Sequence, residues 1–164
     1  MKRLRILAFS AVFILVVGSL YYYARAEQNE KENTFYGKWE IVRCAAKTFI
    51  SNWDNEDEII ESSLSEIYIY SEQSMENITS DGYVTTIKNP YYKLTLITLE
   101  ELSGYRIPVK DLELNSNIIT KVKVYLDKDF KKKCEYVGST FFIKDKDTLL
   151  LLTNGAFFEM KRVK

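Results

Sequence analysis

Arg43, Cys44, Cys134 and plentiful carboxylates are the side chains of this 164-residue chain with chemical reach, and histidine is missing altogether. Without an imidazole, a Ser or Cys nucleophile lacks its usual base. Zinc, haem and triad arrangements have no ligand set or base to draw on, so neither a metal nor a cofactor is expected. The densest acidic run, Asn55-Glu56-Asp57-Glu58, has oxygen ligands for a weak surface calcium site. Acids also suit the positive end of a helix, and that reading is the simpler one. No pair of carboxylates is singled out by its position at strand ends, as glycoside hydrolysis requires. The chain reads as non-enzymatic; a hydrolase is the alternative that a cleft of carboxylates with shifted pKa values would support.

Cys44 and Cys134 lie in a part of the chain that follows an export-type leader, where a disulfide is permitted. A bridge would close a loop of about 90 residues and contribute on the order of 4 kcal/mol; two separate buried thiols are the other reading.

The leader itself is plain. Lys2, Arg3 and Arg5 give a basic start, Ile6 to Tyr23 carries no charge, and Ala24-Arg25-Ala26 offers a small-x-small cleavage site. Residues 1–26 are therefore a signal peptide, or an uncleaved N-terminal membrane anchor with Tyr21-Tyr22-Tyr23 at the interface. Residues 27–34 form a polar spacer, and residues 35–164 one domain. Removing Lys2, Arg3, Arg5 and Arg25 takes the balance from 23 cations against 23 anions to a net of minus four. A mildly acidic exported domain argues against nucleic acid as a partner, and the one basic cluster in sequence, Lys131-Lys132-Lys133, reads as a solvated turn.

The positioning elements are strands. Runs rich in β-branched and aromatic residues fall at Phe35 to Cys44, Leu64 to Tyr70, Tyr83 to Ile87, Tyr91 to Leu99, Ile118 to Leu126, Tyr136 to Ile143, Thr148 to Thr153 and Ala156 to Val163. Ser80-Asp81-Gly82, Lys88-Asn89-Pro90, Asp145-Lys146-Asp147 and Thr153-Asn154-Gly155 supply tight turns, the last a two-residue hairpin. Gly104 to Val109 offers a ninth, edge strand, and Ser51 to Ser63 one short helix or lid after the first strand.

Alternation assigns faces. Trp39, Ile41 and Arg43 share the inside of the first strand, with Arg43 either inward or turned to solvent by a bulge. Ala156, Phe158 and Met160 line the last. Val122, Val124, Leu126, Tyr92, Leu94, Leu96, Ile67 and Ile69 point in, which leaves Tyr68, Tyr70 and Tyr125 outside as a protein contact surface.

Gly37-Lys38-Trp39-Glu40-Ile41 near the start and Phe157-Phe158-Glu159-Met160-Lys161-Arg162 at the end resemble the lipocalin-like barrels of the calycin superfamily. Asn89-Pro90-Tyr91-Tyr92, Gly138 to Lys144, Asp147 to Leu150 and Asn154 to Glu159 are similar to stretches of small exported lipocalin-like proteins of Gram-positive bacteria, a subgroup without known activity. The resemblance covers residues 35–164. It implies an all-β, eight-stranded (or nine-stranded) antiparallel up-and-down barrel, with one short helix after the first strand and the hydrophobic export helix before it. It also implies that Gly37 and Trp39 pack against Arg162 as structural residues. The chain is shorter than ligand-carrying lipocalins and lacks their long helix after the last strand.

Two functions follow as expectations. One is an exported, non-enzymatic barrel that holds a small apolar or amphipathic ligand among Arg43, Tyr92 and Phe158. The other is a secreted or cell-surface interaction module, an inhibitor or envelope component, with a filled barrel and a protein partner. The membrane enters only through the N-terminal segment.

Overall fold

Asn154 and Gly155 both take left-handed backbone angles, φ 48° and 71°, so the chain reverses in two residues and Thr153 pairs with Ala156. That hairpin seeds a meander. The computed structural model describes residues 35–48 and 56–164, which belong to one compact unit, Phe35–Lys164. Its strands are β1 (Gly37–Lys47), β2 (Ile67–Tyr70), β3 (Ser74–Ile78), β4 (Val84–Lys88), β5 (Tyr91–Thr98), β6 (Ile118–Tyr125), β7 (Thr140–Asp145), β8 (Thr148–Thr153) and β9 (Ala156–Arg162). Helix α1 (Glu56–Ser63) follows β1, and α2 (Leu99–Ser103) and a 3-10 turn (Val109–Leu112) lie between β5 and β6.

All pairings are antiparallel, in the order β4-β3-β2-β1-β9-β8-β7-β6-β5. Pairing of β1 with β9 joins the two halves, while β4 and β5, consecutive in sequence, stand at opposite edges. The sheet is strongly curled. β2 and β7 are four strand positions apart, about 19 Å in a flat sheet, yet the rings of Tyr70 and Phe141 lie 4.3 Å apart. Tyr92 of edge strand β5 donates its hydroxyl proton to the Ser71 carbonyl beyond β2 at 2.9 Å. The result is an open half-barrel, consistent with a lipocalin-like fold, with a seam between β4 and β5 instead of full closure.

The concave side holds one core of Phe35, Trp39, Ile41, Tyr68, Tyr70, Met75, Val122, Val124, Phe141, Leu149, Leu151, Phe158 and Met160, among others. A second core lies on the convex side, where α2 and the 3-10 turn bring Leu102, Ile107 and Leu112 onto Ile119, Phe142, Leu150 and Phe157. A capping box starts α2: the Thr98 hydroxyl accepts from Glu101 N–H and the Glu101 carboxylate accepts from Thr98 N–H. Burial on both faces explains the unbroken Leu149-Leu150-Leu151-Leu152 run of β8.

Several expectations are corrected. The ninth strand is Ser74–Ile78, and Gly104 to Val109 forms no strand because it belongs to the cover over the convex core. Tyr68 and Tyr70 point into the concave core, so Ile67 and Ile69 face outward. A strand reading Ile-Tyr-Ile-Tyr has two apolar faces. The inward choice satisfies both hydroxyls, Tyr70 on the Gly138 carbonyl at 3.0 Å and Tyr68 on the Glu66 carboxylate at 2.7 Å. Leu96 lies on the concave side but near the open seam, and is exposed, as is Leu126 beyond the end of β6. Leader residues 1–26, spacer 27–34 and the Ser51 to Asn55 start of the expected helix lie outside the described residues.

Candidate functional site

Trp39 is fully buried, and the Arg162 guanidinium carbon sits 4.2 Å from the centre of its ring. The guanidinium also donates to the Tyr36 carbonyl at 2.7 Å and to the Lys146 carbonyl at 3.2 Å, and the indole N–H donates to the Phe35 carbonyl at 2.8 Å. Gly37, at φ 135°, lets this happen: a Cβ there would meet Arg162 Nη1 at 2.6 Å. Gly37, Trp39 and Arg162 thus pack as one unit, with the structural role the resemblance implies for them.

Of the three expected ligand contacts, Tyr92 and Phe158 belong to the same concave core and Arg43 does not. Phe158 is fully buried in the concave core. Tyr92 packs against Phe35, Tyr36 and Tyr70, and burial pushes its hydroxyl pKa well up. Arg43 is on the opposite face. The β1–β9 register slips between Ile41 and Arg43 and again between Cys44 and Ala46, so Arg43 pairs with Glu159 instead of continuing the Trp39–Ile41 row.

Arg43 thereby joins a charged cluster on the convex side. Its Nη2 lies 2.7 Å from Glu159 Oε2, Lys144 Nζ lies 3.3 Å from the same oxygen, and Lys161 Nζ lies 3.1 Å from Oε1. Glu113 adds a second, exposed carboxylate 3.5 Å from Arg43 and 3.9 Å from Lys144. The Glu159 side chain is only 6% exposed and that of Lys144 only 11%. Burial by itself pushes the Glu159 carboxyl up, but the Lys161 hydrogen bond and the charges of Lys144 and Arg43 outweigh it and hold the pKa below 4.5. A carboxylate held ionised by three cations is an electrostatic tie, the opposite of a general acid.

A second group of cations has no such tie. Register places Lys93 of β5 directly opposite Lys123 of β6, with Lys121 two residues along on the same face. Tyr125 bridges to Lys133, and Lys133 is near enough to act on Lys123. Partial burial, then the charges of Lys121, Lys133 and Lys93, lower the Lys123 pKa below 10.5. Among the described residues none of Lys93, Lys121, Lys123 and Lys133 forms an ion pair. Aromatic partners stand in: Lys93 Nζ is 5.8 Å from the Phe130 ring centre, and Lys121 Nζ is 5.0 Å from that of Tyr105, whose hydroxyl it also meets. Reading the sequence found no basic stripe because these lysines come from three separate segments. Lys121 and Lys123 at alternate positions were the available signal.

The expected disulfide is not formed; Cys44 and Cys134 are both thiols. Cys134 is buried in the concave core, which raises its pKa, and the Cys44 Sγ lies 4.0 Å from the Ala46 carbonyl. Its raised pKa keeps the Cys134 thiol protonated. Surface clefts of ≈ 500 Å³, by Glu72, Gln73, Asn89, Pro90 and Tyr91, and of ≈ 400 Å³, by Cys44 to Thr48, Pro108 and Asp111, gather no catalytic grouping. No family model, curated protein or solved structure matches the chain.

Proposed function

We propose that this chain is an exported, non-enzymatic binding protein of lipocalin-like build that engages a partner through its outer surface, as an inhibitor or envelope component does. The observation that carries this reading is the occupied concave side. Trp39, Ile41, Tyr68, Tyr70, Phe141, Phe158 and Met160 are each at most 1% exposed, and the aromatic rings touch one another across the curl. Side chains fill the volume that a carrier keeps for its ligand.

One observation favours a second reading. Leu96 and Ile118 are on the concave side near the seam and remain 59% and 53% exposed, next to half-buried Leu94. An amphipathic molecule could lie there without entering the core.

Titration of the exported protein with an apolar fluorescent probe separates the two. Surface binding alone gives no saturable uptake. Saturable uptake at one probe per chain, weakened by Leu96→Asp, overturns it in favour of a seam ligand.

A further inference from the structure

The lysines on the outer face of β5 and β6 are arranged at a cost. Like charges directly opposite in an antiparallel pair destabilise it, and Lys123 is also partly desolvated. Lysines on a solvated face ordinarily alternate with acids, and Lys144 and Lys161 on the same side of the sheet do share a carboxylate. The loop after β6 adds exposed Lys131 and Lys132, against Asp127, Asp129 and Glu135. The Asp127 carboxylate is turned back onto the Lys131 and Lys132 backbone N–H groups, and Asp129 reaches only Lys131, at 3.9 Å. The patch thus keeps a positive excess while the domain around it is mildly acidic.

Beside the lysines stand exposed rings. Tyr91 shares the outer face with Lys93, two residues away, and is 39% exposed; Phe130, under Lys93, is 38% exposed. Amines flanked by exposed aromatic rings match the headgroup layer of a bilayer, where phosphates meet the amines and rings settle at the interface. Single-stranded nucleic acid also stacks its bases on exposed rings, but the mildly acidic domain around the patch argues against that partner.

We infer that the Lys93–Lys121–Lys123–Lys133 face, with Tyr91 and Phe130, docks the domain on a bilayer that displays anionic phospholipids. This rests on the surface-binding reading and names the partner. Each lysine near such a surface contributes about five-fold in affinity.

The test is lysine footprinting of the full chain by amine acetylation and mass spectrometry. It uses vesicles of phosphatidylcholine alone and of phosphatidylcholine with phosphatidylglycerol, at low and high salt. Neutral vesicles control for whatever the N-terminal segment does. The expected result, at lipid enough to bind about four-fifths of the chain, is acetylation of Lys93, Lys123 and Lys133 slowed about five-fold by the anionic vesicles only, restored by salt, with Lys146 and Lys164 unchanged. Lys93→Gln with Lys123→Gln removes a repulsive pair, so the fold holds, and protection of Lys133 then needs about 25-fold more anionic lipid. Equal reactivity in both lipids overturns the inference. So does protection by single-stranded DNA without protection by vesicles, which would assign the face to a polyanion. Uptake of an apolar probe would count against surface binding and leave the footprint intact, whereas a missing footprint without uptake removes only the lipid assignment.

Discussion

Two regions of the convex face carry clustered amines, and they are built in opposite ways. Around Glu159, three cations converge on one buried carboxylate. On β5, β6 and the segment that bridges back to Tyr125, Lys93, Lys121, Lys123 and Lys133 share a face with no ion pair among the described residues. The difference separates a structural use of charge from an outward one. The first cluster sits where β1, β7 and β9 approach and fixes the bulged register of β1, so its charges are consumed internally. The second leaves its charge facing solvent, at an edge of the sheet.

The largest effect that tests this contrast comes from Glu159→Gln. Lys144 would stay nearly buried beside Arg43 and Lys161 with no anion in reach except exposed Glu113, and urea unfolding should show a loss of about 3 to 5 kcal/mol. A loss under about 1 kcal/mol, the range of an exposed pair, would erase the distinction between the clusters.

Acid should act on the first region through its buried carboxylate. The folded Glu159 pKa is depressed, so its contribution is complete above 4.5 and disappears as pH falls through the lower folded value. The stability difference between wild type and Glu159→Gln should therefore shrink below pH 4.5. A difference that stays constant to acid would show that the carboxylate is not ionised in the fold.

Lys93→Glu should raise stability by about 0.2 to 1 kcal/mol, since it replaces a like-charge pair with an opposite one. Destabilisation by the same variant would mean that the Lys93 contact with Phe130 outweighs the repulsion. The smallest effect is alkaline. The folded Lys123 pKa is depressed, so stability rises as pH climbs through that value and the gain is complete above 10.5. Comparison of wild type with Lys123→Met across that window isolates the rise, and parallel curves would remove it.

Much of the fold was legible because local chemistry and global arrangement agree. Asn154-Gly155 fixes the last hairpin, and the Gly37, Trp39 and Arg162 types suffice to imply a close approach and a capped ring. β3 was not legible: Ser74-Met75-Glu76-Asn77-Ile78 has weak strand propensity, and pairing on both sides by β2 and β4 makes it a strand. Face assignment failed where both faces are apolar, as at Ile67 to Tyr70, whereas at Arg43 the bulge, one of the two readings the alternation left open, is what the strand has. The Glu159 cluster and the lysine face were hidden for another reason. Each is assembled by register between segments far apart in sequence, and a single chain read end to end carries no register.

The join between β1 and β9 also sets how this domain folds. Arg43 and Glu159 meet across 116 positions, and Arg162 reaches Trp39 across more. The hairpins β2–β3–β4 and β7–β8–β9 close short loops and can form within microseconds, but neither buries Trp39. The event that does must bring together strands separated by most of the domain, and such distant pairings place folding in the millisecond to second range. Until then the edges of β1 and β9 are unpaired and open to other strands, which makes a slowly emerging chain most prone to aggregate at two strands that lie in the middle of the sheet once it has folded.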